Sequence, residues 1–265
     1  MTGTFGDHLE ALRPHLLRSA AAFALLFAAA FVCKKLLVDT ILLGPLDDNF
    51  PTNRLIASLA ERLGFDSTAA PGSTLTLVNT SMAGQFNLHL KISFLAALVG
   101  AFPYTVWEVW RFVKPALTQH ELDACRHLTL GISLCFLTGV AFGYFVTAPV
   151  TVGFLSRYDV SPAVVNMIDA NSYLATVVNV TLACGVLFQL PLLVRFLARA
   201  GIVTADMLRR YRRHALLLLT LLSAIITPPD VVSTIIIVMP LYALYEFGIQ
   251  IAERQKAKFS AKVSS

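Results

Sequence analysis

The sequence predicts an all-α polytopic membrane protein: six transmembrane helices in a concave arrangement, with the fifth and sixth short. Three observations carry this. Of 265 residues, 56% are hydrophobic and only 14% are charged, against about 25% charged in soluble domains, and the mean hydropathy is +0.69. A soluble particle of this size has too little interior for so much apolar surface, and the same bias excludes disorder. The apolar residues also fall into runs, and six spans of about 20 residues would use roughly 120 residues. Finally, the basic residues segregate to one side of those runs. Residues 1–265 read as a single integral membrane domain, with no room for a large soluble catalytic domain as well.

Each element follows in order. Residues 1–15 form a charged tail with Asp7, Glu10 and Arg13. No cleavable signal peptide is expected, because the apolar run that follows lacks a small-x-small exit. Leu16–Val38 is the first span, with Lys34 and Lys35 snorkelling at its far end. The loop from Asp39 to Gln85 is the longest. Within it, residues 53–64 carry Leu55, Ile56, Leu59 and Leu63 on one helical face and stop at Gly64, which predicts a short amphipathic helix at the interface. Leu88–Trp110, Leu128–Ala148 and Ser172–Leu197 are spans two to four. His214–Ile226 is a run of 13 residues, too short to cross about 30 Å of hydrocarbon upright. Val231–Ile251 follows across Thr227-Pro228-Pro229-Asp230, a step no helix can continue through. Spans five and six therefore read as a tightly turned hairpin, and residues 252–265 as a tail.

Charge sets the orientation. With six spans both termini share a side, and that side holds 15 of the 21 Lys and Arg residues, which predicts cytoplasmic termini. Trp107 and Trp110 then fall at the cytoplasmic end of span two, where an aromatic belt belongs. The net charge of +5 is loop charge in such a protein, and no nucleic-acid partner is expected. Cys33, Cys125, Cys135 and Cys184 have no ligand spacing, so neither a metal nor another cofactor is expected. No phosphate-binding loop occurs. His120-Glu121 lacks the second histidine of a zinc protease, and no nucleophile elbow is present. An enzyme is not expected.

Few polar residues lie within the spans. Gln189 sits in Leu187-Phe188-Gln189-Leu190-Pro191, where a buried amide needs a partner: an interhelical hydrogen bond or a functional polar contact satisfies it. Thr234 is grouped with Gln189 as an intramembrane partner contact. Pro103, Pro191 and Pro240 favour kinks, and kinked, unequal helices leave a concave wall. A small secondary transporter or channel is the rival reading, but such proteins place charged residues near the midplane, and no Asp or Glu is centred in a span here.

Several blocks, taken in order, carry a resemblance. They are His8-Leu-Glu-Ala-Leu-Arg13; Pro103-Tyr-Thr-Val-Trp-Glu-Val-Trp-Arg-Phe112-Val-Lys-Pro115, running on to Glu121; Phe142-Gly-Tyr-Phe; Thr227-Pro-Pro-Asp230; and Pro240-Leu-Tyr-Ala-Leu-Tyr-Glu246. Over nearly its whole length the chain resembles the TatC family, the signal-peptide receptor of the twin-arginine protein translocase. The resemblance implies six helices in a cupped arrangement with short fifth and sixth helices. It implies a place in the bacterial cytoplasmic membrane and binding of Arg-Arg signal peptides of folded cargo at the cytoplasmic face. It also implies an oligomeric complex with single-span partners of the TatA or TatB type, driven by the proton motive force. Glu121 matches the loop carboxylate that engages the arginines, Phe112 and Pro115 match the loop's structural positions, and Glu10 and Arg13 lie in the amino-terminal motif. Pro45 matches a proline of the first outer loop and Asp230 an acidic residue of the last outer turn. The chain departs from the family at three places. The amino-terminal glutamate falls on Ala11, with Glu10 about 100° round the helix. The glutamate of span four falls on Gln189, and the basic pair after Glu121 is Leu122-Asp123. Asp123 adds a second carboxylate for guanidinium groups, whose planar forks suit bidentate contact.

Overall fold

The computed structural model of the chain describes residues 5–47, 49–62, 76–116, 128–158, 161, 167–199, 202–227 and 231–263. Helices dominate them. Helix α1 (Phe5–Val32) is followed by a π-helical turn (Leu36–Leu42), a 3-10 turn (Gly44–Leu46) and α2 (Pro51–Arg62). Strand β1 (Leu77–Val78) precedes α3 (Gly84–Val113). Helix α4 (Leu128–Phe142) passes through a π-helical turn (Gly143–Thr147) into α5 (Ala148–Arg157). Strand β2 (Ile168–Asp169) leads to α6 (Ala170–Leu187), α7 (Leu190–Arg199), α8 (Ala205–Arg210), α9 (Arg212–Ile226) and α10 (Val231–Val263). Among the described residues, five helical segments are long and apolar enough to cross a membrane: Glu10–Val32, Gly84–Val113, Leu128–Arg157, Ala170–Ala198 and Ser233–Glu253. The remaining candidate, α9, has 15 residues, about 22 Å of helix, as short as its sequence predicts.

The boundaries differ from expectation where the chain stays helical in water. Helix α1 starts at Phe5 instead of residue 16, because only Pro14 interrupts the charged tail, and it ends at Val32, before the Lys34-Lys35 pair. Helix α10 is not short: it runs 33 residues, to Val263. Its apolar part stops at Glu253, and seven of the ten residues beyond, Arg254 to Lys258, Ala261 and Lys262, are Arg, Gln, Lys or Ala, all good helix formers. The helix expected over residues 53–64 starts at Pro51, a residue suited to the first helical turn. Span four is broken as Pro191 predicts: a turn at Phe188–Gln189 separates α6 from α7. Helices α3 and α10 pass through Pro103 and Pro240 without a break.

The chain divides into two compact units, Met1–Gly44 with Asn79–Leu137, and Pro45–Val78 with Thr138–Ser265. In the first, α1 and α3 pack antiparallel along their length. Phe23 meets Phe94 edge-on at 5.2 Å, and Phe31 stacks on His89 at 4.1 Å. Phe23, Phe27 and Phe31, one turn apart, form the ladder that α1 presents. Ile92, Ala97 and Ala101 are buried on α3.

In the second unit, Val180, Cys184 and Phe188 pack with Leu219 of α9 and with Ile237, Leu241, Tyr245 and Ile249 of α10. Close approach comes from Gly139-x-x-x-Gly143. A Cβ at Gly139 would lie 2.5 Å from the Cys184 carbonyl oxygen, and one at Gly143 would lie 2.8 Å from Thr181 Cα. Hydroxyls add polar ties, as expected inside a bilayer: Thr151 Oγ1 donates to Ser233 Oγ at 2.9 Å, and Tyr245 OH to the Leu208 carbonyl at 2.8 Å. Strands β1 and β2 pair in parallel, with Leu77 opposite Ile168 and Val78 opposite Asp169. Asp169 caps α6 by accepting from the Asn171 and Ser172 amides.

Candidate functional site

Antiparallel packing of α1 on α3 sets the site. It brings the start of α1 against the end of α3, two regions that are separated in sequence by the whole first outer loop. Glu10 and Arg13 are exposed on α1, within two turns of His15. The His15 ring meets Phe112 edge-on at 6.1 Å. Phe112 is half-buried, and Pro115 is exposed in the 3-10 turn that ends α3. Of the residues expected at the signal-peptide site, the fold thus gathers Glu10, Arg13, Phe112 and Pro115 at one end of one helix pair. Glu121 and Asp123 lie outside the described residues, as does Asp230 of the outer turn.

At the centre of this region is a residue to which the sequence reading gave no role. The Glu108 side chain is 1% exposed. Its Oε2 accepts from His15 Nδ1 at 2.6 Å, with Arg18 at 4.0 Å. Its Oε1 accepts from Tyr104 OH at 3.0 Å and from Arg111 Nη1 at 3.2 Å. A buried carboxylate is tolerated only with such partners, and charge-assisted donors are the strong ones. Tyr104, Glu108 and Arg111 recur at helical spacing, i, i+4 and i+7, so they share the face of α3 turned to α1. That spacing, with His15 and Arg18 three apart on α1, was the available signal. It was hidden because Glu108 lies inside a motif read for its aromatics and prolines.

The other expected residues lie in the second unit. Pro45 is buried in the 3-10 turn, and its carbonyl accepts from Asn53 Nδ2 at 3.0 Å. Asn53 also donates to the Asp47 carbonyl at 2.9 Å, so a fully buried amide ties the outer turn to α2. Gln189 sits half-buried in the break between α6 and α7, where its Nε2 donates to the Gly185 carbonyl at 3.4 Å. Thr234 is tied inside its own hairpin. Its hydroxyl is 3.4 Å from that of Thr227, and its carbonyl accepts from Ser223.

Residues 7–240 match the family model described as "Sec-independent protein translocase protein (TatC)". The chain belongs to the TatC family. The TatC of Blattabacterium sp. subsp. Periplaneta americana (strain BPLAN) is 32% identical over 250 residues, covering 94% of each chain. That of Deinococcus radiodurans is 35% identical over 244 residues, covering 92% of this chain and 83% of its own. A crystal structure of the twin-arginine translocase receptor TatC in DDM superposes with a TM-score of 0.69 at 28% identity, over 92% of this chain and 99% of that one. As a TatC family member the chain is a multi-pass membrane protein of a protein translocase, a transport protein and not an enzyme.

Proposed function

We propose that this TatC chain binds Arg-Arg signal peptides with the end of the α1–α3 pair, using Glu121 and Asp123 of the following loop, Glu10 and Arg13 of α1, and the Phe112–Pro115 turn. It sits in the bacterial cytoplasmic membrane with both termini inside. There it gathers single-span partners into an export complex driven by the proton motive force, with Gln189 and Thr234 as intramembrane polar positions and Pro45 and Asp230 shaping the outer turns. The observation that supports the reading is the antiparallel register of α1 on α3. It brings His15, two residues after the amino-terminal motif, against Phe112, and Glu121 follows Pro115 by six residues in the sequence. The basic residues of this end would repel arginines, so carboxylates are needed to attract them. Exposed pairs contribute only about 0–1 kcal/mol, and partial desolvation at the interface raises the cost of truncating one partner to about 2–5 kcal/mol.

The test is signal-peptide affinity for Arg-Arg and Lys-Lys versions on the native chain and on Glu121→Ala, in one salt. Arg presents a rigid fork and Lys a compact point charge. The native chain should therefore prefer Arg-Arg by about 1–3 kcal/mol, and Glu121→Ala should lose most of that preference. Asp123→Ala should cost less. An unchanged Arg-over-Lys ratio in Glu121→Ala would mean that this loop does not read the arginines.

A further inference from the structure

Beside the Glu108 stripe, α3 carries a second one. Trp107, Trp110 and Lys114 recur at helical spacing and, with Arg111, wall a groove of about 620 Å³, with Thr129 and Ser133 of α4 opposite. Pro103 and Leu130 supply its apolar surface. On the side away from Lys114, the Phe102–Phe136 stack joins the same two helices, with ring centroids 3.6 Å apart. The Arg111 guanidinium lies over the Trp107 ring, 4.8 Å from its centroid. Among the described residues no carboxylate lines the groove; Glu108 is buried on the adjoining face toward α1.

The depth of the groove follows from helix length. Helix α3 has 30 residues, about 45 Å, and the hydrocarbon core is about 30 Å thick. Helix α3 thus outruns the core by about 15 Å, and Trp107, Trp110 and Arg111, with Lys114 just beyond, mark the end suited to the headgroup level. Tryptophans favour that level, and cations there meet lipid phosphates.

We propose that this groove is a binding site for an anionic phospholipid of the phosphatidylglycerol class. The phosphodiester sits between Arg111 and Lys114, the Thr129 and Ser133 hydroxyls face the glycerol, and the acyl chain follows Pro103 and Leu130. The two cations suit a phosphate; Lys114 belongs to the Phe112–Pro115 turn, so the groove adjoins the proposed signal-peptide surface, and the lipid titration below reads it without any signal peptide present. The apolar wall gives a lipid a surface that free phosphate would not use. The volume lies within the range of small-ligand sites, roughly 300–1,000 Å³.

The chain has two tryptophans, and both line the groove, so indole emission reads its occupancy directly. The full chain is reconstituted in phosphatidylcholine vesicles, and brominated phosphatidylglycerol or brominated phosphatidylcholine is titrated in at constant salt. Brominated phosphatidylglycerol should quench at several-fold lower mole fraction. Lys114→Gln, which leaves the Arg111–Glu108 contact in place, should reduce that preference about fivefold, the typical weight of one basic residue at a lipid surface. Lys114→Gln with Arg111→Gln should abolish it. Equal quenching by the two lipids in the native chain would overturn the proposal, as would a preference that survives both substitutions. Relief of quenching by millimolar glycerol 1-phosphate would make a soluble phosphate the ligand, and would overturn the lipid assignment.

Discussion

His15 and Glu108 lie 93 positions apart in the chain and 2.6 Å apart in space. Their contact ties α1 to α3 at the end where His15 also meets Phe112. Glu108→Ala should lower the thermal midpoint in detergent and weaken signal-peptide binding together. His15→Ala should do the same to a smaller degree, since Tyr104 and Arg111 still hold the carboxylate. The double variant should melt no lower than Glu108→Ala alone, because the two residues act as a unit; additive losses would mean they do not. Gln189 belongs to a different problem. It fills the break ahead of Pro191, where an amide in hydrocarbon needs a partner. Gln189→Leu should leave the chain inserted yet weaken co-purification with a single-span partner, at a cost of about 0.6–2 kcal/mol per lost intramembrane hydrogen bond. Gln189→Glu should be tolerated, as the family carries Glu there. Full co-purification of the Leu variant would reduce Gln189 to a helix-break filler.

Helices meet closely in this chain where side chains are small. Across Gly139 and Gly143, α4 and its π-helical turn touch α6 at Thr181, Cys184 and Gly185. Overpacking of such a contact costs typically 1–3 kcal/mol. Gly139→Val and Gly143→Val should each lose stability in that range, read as a lowered midpoint in denaturant. Gly100→Ala is the control: its Cβ would meet nothing closer than Leu26 Cδ1 at 3.5 Å, and it should be neutral or slightly stabilising. Legibility divides along the same line. The apolar runs were readable because hydropathy is a local sum, and the break at Gln189 because Pro191 withdraws an amide. The amino-terminal motif and the Phe112–Pro115 turn were readable as sequence blocks. The Glu108–His15 contact was not, since the spacing of Tyr104, Glu108 and Arg111 marks a face of α3 but not the register of the helix that meets it. The continuation of α10 to Val263 has another reason: hydropathy marks only where the apolar stretch ends, and helicity persists beyond that point through Arg, Gln, Lys and Ala.

For the whole molecule, the 15 to 6 division of basic residues predicts both termini on the cytoplasmic side and the first long loop outside. On a background lacking the four native cysteines, single cysteines at Ser67 and Ser264 should respond oppositely to an impermeant thiol reagent applied to intact cells. Position 67 should label, and position 264 should label only after lysis. Labelling at 264 and not at 67 would invert the topology and move the proposed signal-peptide surface to the wrong side. Because α9 is only 15 residues long, about 22 Å, it cannot span about 30 Å of hydrocarbon upright; the Thr227 and Thr234 hydroxyls, 3.4 Å apart, join it to α10 at that end.

The buried carboxylate also has a consequence for synthesis. Ribosomes extend chains at about 5–20 residues per second, so the 93 positions between His15 and Glu108 amount to roughly 5–20 s. Helix α1, with His15 and Arg18, is thus made well before α3, so Glu108 emerges into a chain that already carries two of its partners. A circularly permuted chain that makes α1 last would have to leave that glutamate without His15 or Arg18 until synthesis ends.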